Sequence, residues 1–168
     1  MKKKASGKKP YARKSLFSNI IVMVVAAELA GVAGSLVTFP SVGSWYSSLA
    51  KPDISPPNWV FGPVWVALYA LMGIAAGLVW NSSDKRKTFA LKVYGAQLCL
   101  NVLWSLVFFG LRSPGLAFIN IIALWLAIVA AMAAFNKISK SSMLLLVPYI
   151  AWVTVAMFLN YSIWILNP

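Results

Sequence analysis

Apolar residues form five long runs in this chain, and short polar or proline-containing segments separate one run from the next. A helix needs about 20 mostly apolar residues to cross the hydrocarbon core of a bilayer. The pattern therefore predicts an all-α integral membrane protein, a bundle of five transmembrane helices. The predicted spans are about 17–39, 59–80, 88–111, 114–135 and 141–166.

Prolines and charges refine the boundaries of these spans. Pro40 is expected to end the first span, and Pro114 suits the first turn of the fourth. Pro63 and Pro148 lie inside their spans, so each predicts a kink or an early tight turn. Residues 1–16 are predicted to form a basic disordered tail, and residues 17–168 a single five-helix domain.

Composition narrows the chemistry that the chain can perform. Hydrophobic residues make up 61% of it and charged residues only 11%, against roughly 25% charge in soluble domains. The chain has no histidine and one cysteine, which excludes histidine-based zinc, haem and nucleophile sites and an intrachain disulfide. We predict no metal site, and a binding or transport role is favoured over hydrolysis.

The distribution of positive charge predicts the orientation in the membrane. Of the 15 Lys and Arg residues, all but Lys51 and Arg112 fall on one side of the predicted bilayer. The positive-inside rule then places the amino terminus in the cytoplasm and the carboxyl terminus outside. We interpret the basic tail as a lipid-touching topology signal rather than a nucleic-acid site. It lacks a Ser-rich amphipathic transit signature, which favours a prokaryotic plasma membrane.

Aromatic and amide side chains fall at one depth on the second, third and fifth spans. Amides are costly to expose to lipid, so they are expected to face the bundle interior. They could simply join helices, and the tryptophans could be packed core. Their shared depth favours a pocket for a flat, largely apolar ligand. The residues selected by depth are Trp65, Tyr69, Asn101, Trp104, Trp152, Ala156 and Asn160, with Gln97 one turn deeper.

The loop between the first two spans is long and rich in proline, which is typical of a lid or binding element. A lid over the outward-facing pocket is the functional interpretation, and an inert cover is the alternative. The predicted lid residues are Trp45, Tyr46, Pro52, Pro56 and Pro57.

Glu28 is the only acid within a span. Near the middle of a membrane it is expected to be protonated, paired or turned inward. Two roles stay open for it, a structural hydrogen bond and coupling to a proton or ligand.

Small residues indicate where helices approach closely. Gly73 and Gly77 form a GxxxG pattern on the second span, and Ala27, Gly31 and Ser35 form a small-residue stripe on the first. Gly95 and Cys99 give the third span a small face for contact within the chain or with a second copy.

Four ordered motifs resemble the TspO/MBR family, the translocator proteins or peripheral-type benzodiazepine receptors. The resemblance covers nearly everything after the basic tail. The motifs are Trp45-Tyr46 with Lys51-Pro52; Pro56-Pro57-x-Trp59 continuing through Trp65 to Tyr69; Gln97 through Asn101-x-x-Trp104 with Phe108-Phe109-Gly110; and Pro148-Tyr149-x-x-Trp152 with Leu159-Asn160-Tyr161.

The resemblance implies a five-helix bundle, commonly a homodimer, that acts as a receptor or transporter-like protein in tetrapyrrole or stress regulation. Its implied ligands are porphyrins such as protoporphyrin IX and haem, sterols and synthetic benzodiazepine-type compounds, with no required cofactor. By motif position it adds Leu159 to the pocket. The animal cholesterol motif is incomplete here, because Ile165 stands where that motif has a basic residue.

Two other functions remain open. Some family members are described as agents of light-dependent porphyrin breakdown, for which Trp59, Trp65 and Trp152 are the candidates here. The chain could also be a membrane scaffold with a lipid-filled pocket. It shows no nucleotide-binding loop, so active transport would require a gradient or a partner.

Overall fold

A computed structural model describes the backbone of residues 10–168 and the side chains of residues 16–168. Five of its helical segments are long and apolar enough to cross a membrane, and no strand occurs in the described range, so the predicted fold class is confirmed. The elements are α1 (Pro10–Val42), α2 (Trp45–Ser48), α3 (Asn58–Trp80), α4 (Lys87–Ser105), a π-helix (Leu106–Gly110), α5 (Pro114–Asn136), α6 (Lys140–Leu144) and α7 (Val147–Leu166).

Helix α1 is longer than predicted at both ends. It begins at Pro10, inside the predicted tail 1–16, because proline suits a first turn and Ala, Arg and Lys are good helix formers. The rest of the predicted disordered tail, residues 1–9, lies outside the described residues.

The expectation that Pro40 ends the first span is wrong, since α1 continues through it to Val42. Proline removes one backbone hydrogen bond, and only two residues of helix remain beyond it. The last turn is also held from outside, because Ser41 Oγ donates to the carbonyl oxygen of Phe109 at 3.1 Å. This tertiary contact offsets part of the cost of the proline.

The fifth predicted span is broken in two. Helix α6 ends at Leu144, α7 starts at Val147, and Pro148 lies in the first turn of α7. The turn expected at Pro148 is therefore confirmed as a break. Helix α3, by contrast, continues through Pro63.

Two glycines on α3 allow α1 to pack closely along it. A Cβ added at Gly77 would lie 2.6 Å from Ile20 Cα, and one added at Gly73 would strike the backbone of Val24. The predicted close contact is confirmed and takes place between α1 and α3. Around the bundle the helices are arranged in the order α3, α1, α4, α5 and α7, and each packs against the next. Helices α3 and α7, which would close the ring, touch only over a short stretch. A cavity opens between these elements at the end where α3 begins and α7 ends.

Candidate ligand-binding cavity

The cavity has a volume of about 620 Å³ and takes its lining from α1, α2, α3, α4, the π-helix and α7. Its size falls within the roughly 300–1,000 Å³ of clefts that hold small molecules. All eight residues expected to form the pocket line it, although their role in binding stays a prediction. They are Trp65, Tyr69, Asn101, Trp104, Trp152, Ala156, Leu159 and Asn160.

Aromatic rings form much of the cavity wall. Trp65 lies 5.6 Å from Tyr69 at an interplanar angle of 32°, and Trp104 stacks on Phe108 at 5.2 Å and 27°. On the side where α3 faces α7, Phe61 meets the ring of Trp152 edge-on at 5.8 Å. Aromatic contacts of this kind contribute about 0.5–1.5 kcal/mol each beyond buried area. The rings therefore offer stacking surfaces to a flat guest.

A chain of hydrogen bonds runs from the cavity wall into the core. Tyr69 Oη donates to Asn101 Oδ1 at 2.5 Å, and Asn101 Nδ2 donates to Tyr149 Oη at 3.0 Å. Tyr149 Oη in turn donates to Gln97 Oε1 at 2.8 Å. Because these bonds connect α3, α4 and α7, both amides join helices, as one interpretation expected. Asn101 also lines the cavity, whereas Gln97 does not, and a role in binding stays a prediction.

Asn160 makes a second polar link at the cavity wall. Its Oδ1 accepts from Trp104 Nε1 at 2.9 Å, and its Nδ2 donates to the carbonyl oxygen of Pro114 at 2.8 Å. The second bond joins α7 to the first turn of α5. With Asn101, Asn160 and Gln97 all buried, the expected inward orientation of the amides is confirmed.

The indole of Trp152 has an unused donor. Its Nε1 atom is buried and has no hydrogen-bond partner within the described part of the chain, while the residue lines the cavity. A buried donor without a partner costs about 1–3 kcal/mol. An acceptor on a bound molecule would recover that cost once the ring turned its Nε1 atom towards the cavity.

Sequence reasoning missed two contributions to the cavity, those of the π-helix and of α1. The wider turn of the π-helix brings Phe108 and Phe109 to the wall, and such turns are frequent at functional sites. Their signal was the Phe-Phe-Gly motif. On α1, Gly31 and Ser35 line the cavity, whereas the small-residue stripe to which they belong predicts only a helix contact.

The predicted lid covers one end of the cavity with α2. Tyr46 lines the cavity, and Trp45 packs edge-on against Phe108 at 5.7 Å. The other predicted lid residues, Trp45, Pro52, Pro56 and Pro57, do not line it. Opening and closing stay a prediction for this segment.

A pair of hydrogen bonds fastens the lid segment to the end of α7. The amide nitrogen of Ala50 donates to Asn167 Oδ1 at 3.0 Å, and Asn167 Nδ2 donates back to the Ala50 carbonyl at 3.0 Å. Breaking this pair would release the segment between α2 and α3 from α7.

Glu28 departs from its expected structural role. It is half-buried, lies outside the cavity lining, and no hydrogen bond or salt bridge to it occurs among residues 16–168. The reason is its position on α1: Ala27 faces α3, so Glu28 lies one residue, or 100°, around the helix at the edge of that interface. The structural hydrogen bond is thus not found, and coupling stays a prediction.

The other end of the bundle carries an ion pair. Arg86 Nη2 lies 2.7 Å from Asp84 Oδ2 and also donates to the carbonyl oxygen of Lys137 at 2.7 Å. Hydrogen bonds from Arg86 lower the pKa of Asp84 to about 2, and the same contact raises the pKa of Arg86. The pair connects the loop before α4 with the loop after α5, at the end of the bundle opposite the cavity.

Comparison with known proteins places the chain among relatives of similar length. The model of the TspO/MBR family matches residues 21–165. The tryptophan-rich protein TspO of Chlorobaculum tepidum is 44% identical, over 82% of this chain and 89% of the relative, and that of Archaeoglobus fulgidus is 39% identical, over 88% and 96%. The human translocator protein is 38% identical, over 71% of this chain and 73% of its own.

Proposed function

Because the chain belongs to the TspO/MBR family, we propose that its cavity binds porphyrins, including protoporphyrin IX and haem, and related flat apolar ligands in tetrapyrrole or stress regulation. One observation carries the proposal. Indoles from three helices, Trp65, Trp104 and Trp152, line a single cavity in which two buried amides also take part. A packed aromatic core would leave no such space.

Selectivity for such a ligand would come from stacking and shape. A hydrophobe that is already dissolved in lipid gains little from burial in protein, because the hydrophobic free energy refers to leaving water. Contacts with the aromatic rings and one or two hydrogen bonds are then the interactions that distinguish one ligand from another. The small side chain of Ala156 leaves room on the wall that Trp152 and Leu159 share.

The unused Trp152 donor supports a ligand with an acceptor near its rim. A porphyrin carboxylate or a carbonyl group would accept from Nε1 and satisfy it. Sterols fit the apolar cavity less specifically, since Tyr161 and Ile165 near the end of α7 are exposed on the outside of the bundle and not in the cavity.

The test is a titration with protoporphyrin IX, followed by the porphyrin's own absorption so that the loss of an indole does not alter the reporter. We expect Trp152→Ala and Asn101→Ala to weaken binding at least about fivefold, from lost ring contacts and a broken hydrogen-bond chain. Trp80→Ala, a tryptophan outside the cavity, is the matched control. Equal affinity in all of these proteins would remove the cavity as the binding site.

Light-dependent porphyrin breakdown is the second candidate, supported by Trp59, Trp65 and Trp152, which all line the cavity. Under light and oxygen, bound porphyrin should change its spectrum faster than free porphyrin in the same detergent. Trp65→Phe or Trp152→Phe should slow that change. Equal bleaching with and without protein would dispose of this candidate, and a lipid-filled scaffold would then be the simpler explanation.

Orientation and assembly complete the proposal. The family and the five apolar helices make this an integral membrane protein, and we propose a prokaryotic plasma membrane with the amino terminus in the cytoplasm. The cavity then lies on the outer side. A homodimer is supported by the open space beside Gly95 and the exposed position of Cys99 on the same helix. Cysteine cross-linking at Cys99 in membranes tests it.

A further inference from the structure

The hydrogen-bond chain from Tyr69 to Gln97 has a direction, and a sulfur atom at its inner end favours that direction. Gln97 Nε2 lies 3.9 Å from Met72 Sδ. A thioether sulfur accepts hydrogen bonds and donates none. If the Gln97 amide were reversed, two acceptors, Oε1 and Sδ, would face each other in a fully buried site. Met72 therefore favours the arrangement in which Nε2 faces the sulfur and Oε1 faces Tyr149.

This choice at Gln97 determines the donors further along the chain. Tyr149 has one hydroxyl hydrogen, which it donates to Gln97, so its oxygen is left to accept from Asn101. Once Asn101 Nδ2 is used in that bond, Oδ1 is the atom that faces Tyr69. The hydroxyl hydrogen of Tyr69 is then donated to Asn101 Oδ1 and is not available to a ligand.

The outer end of the chain reaches the cavity as an acceptor. Tyr69 and Asn101 both line the cavity, and the Tyr69 oxygen retains lone pairs but no free hydrogen. A guest group that donates, such as a ring N–H or a hydroxyl, finds a partner there. A carbonyl oxygen at the same place faces another acceptor.

We propose that Met72 and Gln97 act as specificity-determining residues that make the Tyr69 wall of the cavity accept hydrogen bonds. The cavity then selects flat ligands that carry an N–H or O–H group at that edge over those that carry a carbonyl. This inference rests on the proposed function and adds the hydrogen-bonding class of the ligand. Neither residue lines the cavity, so each acts through Asn101 and Tyr69.

Three tricyclic compounds of nearly the same shape test the inference. Carbazole has a ring N–H, 9-fluorenone has a carbonyl at the same position, and fluorene has neither. Met72→Leu keeps the volume of the side chain but removes the sulfur acceptor. The hydrogen bonds from Tyr69 to Gln97 can then run in either direction, because the Gln97 amide can take both orientations. Fluorenone should then select the reversed chain, in which Tyr69 donates to it.

We expect Met72→Leu to tighten fluorenone binding about fivefold, while the affinities for carbazole and fluorene change less than about twofold. A gain of affinity from a buried substitution is not what general destabilisation produces. Met132→Leu, the same substitution at another methionine packed against the core, should change none of the three. Should Met72→Leu not fold, Gln97→Leu removes the acceptor of the Tyr149 hydroxyl. That hydroxyl should then donate to Asn101 and reverse the chain, so fluorenone binding should again tighten.

Unchanged fluorenone affinity in the variant, together with normal binding of carbazole and protoporphyrin IX, would overturn the inference and leave the proposed function standing. If protoporphyrin IX and all three tricycles fail to bind the wild-type protein, both the proposed function and this inference fall.

Discussion

A methyl group placed at position 31 should deform the cavity wall from behind. A Cβ added at Gly31 would lie 2.5 Å from Tyr69 Cε2 and 2.6 Å from Cδ2, whereas carbon atoms in contact prefer about 3.5–4.0 Å. The ring of Tyr69 would have to withdraw by about 1 Å. Its hydroxyl bond to Asn101 is only 2.5 Å long, so a movement of that size strains or breaks the bond.

The expected free-energy change combines three terms. Overpacking costs about 1–3 kcal/mol, and the weakened hydrogen bond costs about 0.5–1.5 kcal/mol. Alanine offsets about 1 kcal/mol of this by its higher helix propensity. Gly31→Ala should therefore destabilise the folded protein by about 1–3 kcal/mol and weaken protoporphyrin IX binding about tenfold through the displaced ring.

Unfolding of the purified protein in mixed micelles measures the first effect, and the porphyrin titration measures the second. Gly62→Ala is the matched control, because Gly62 also lines the cavity from within a helix and has open space around its Cβ position. In a Tyr69→Ala background, Gly31→Ala should cost nothing, since the overlapping ring is gone. If Gly31→Ala and Gly62→Ala behave alike in both measurements, the contact between α1 and Tyr69 does not control the cavity.

Three further outcomes follow from the packing, the lid and the ion pair. Gly73→Ala pushes a methyl group into the backbone of α1 and should lower the free energy of unfolding by about 1–3 kcal/mol, whereas Gly95→Ala, which meets nothing, should not. Asn167→Ala removes both bonds to the lid segment and should speed ligand dissociation several-fold in stopped-flow measurements. Asp84 has a pKa of about 2 beside Arg86, below the roughly 3.9 of an unfolded chain, so its stabilising effect is present above about pH 4 and disappears as the pH falls towards 2. The melting temperature of Asp84→Asn should lie below that of wild type at pH 5 and converge with it near pH 2.

The fold and the pocket residues followed from the sequence because both depend on depth in the membrane. Run length decides whether a helix can span the bilayer, and the rise per residue gives each side chain a height. Trp65, Asn101 and Trp152 were selected at a common height on this basis. Polar groups at that height must turn inward, and the structure places all three on one cavity.

The sequence predicted that small residues allow close helix contact, but not which atoms would fill the space beside each of them. A glycine on a helix leaves a space, and the pattern does not say what fills it. The space at Gly77 is filled by the backbone of α1 and that at Gly31 by the Tyr69 ring, whereas no atom of the described residues fills the space at Gly62. Each outcome depends on which helices become neighbours.

The π-helix and the continuation of α1 past Pro40 were missed for a related reason. Each departs from a regular α-helix, which lowers its local stability. The hydrogen bond from Ser41 to the Phe109 carbonyl links the two segments to each other. Ser41 and Phe109 are far apart in the sequence, so no local pattern reports this bond. The edge position of Glu28 likewise depends on the way α1 turns towards α3.

The polar groups of this cavity join helices and, in the proposed function, also contact the ligand, and the membrane explains why the two roles coincide. With no water in the hydrocarbon core, Asn101 and Asn160 must satisfy their amides within the protein, and they do so by joining helices around the cavity. The hydrogen bonds that hold the bundle together thereby decide which atoms stay free for a guest. Trp152 Nε1 is left without a partner and the oxygen of Tyr69 keeps its lone pairs, so the recognition that we propose would be a by-product of how the helices are joined.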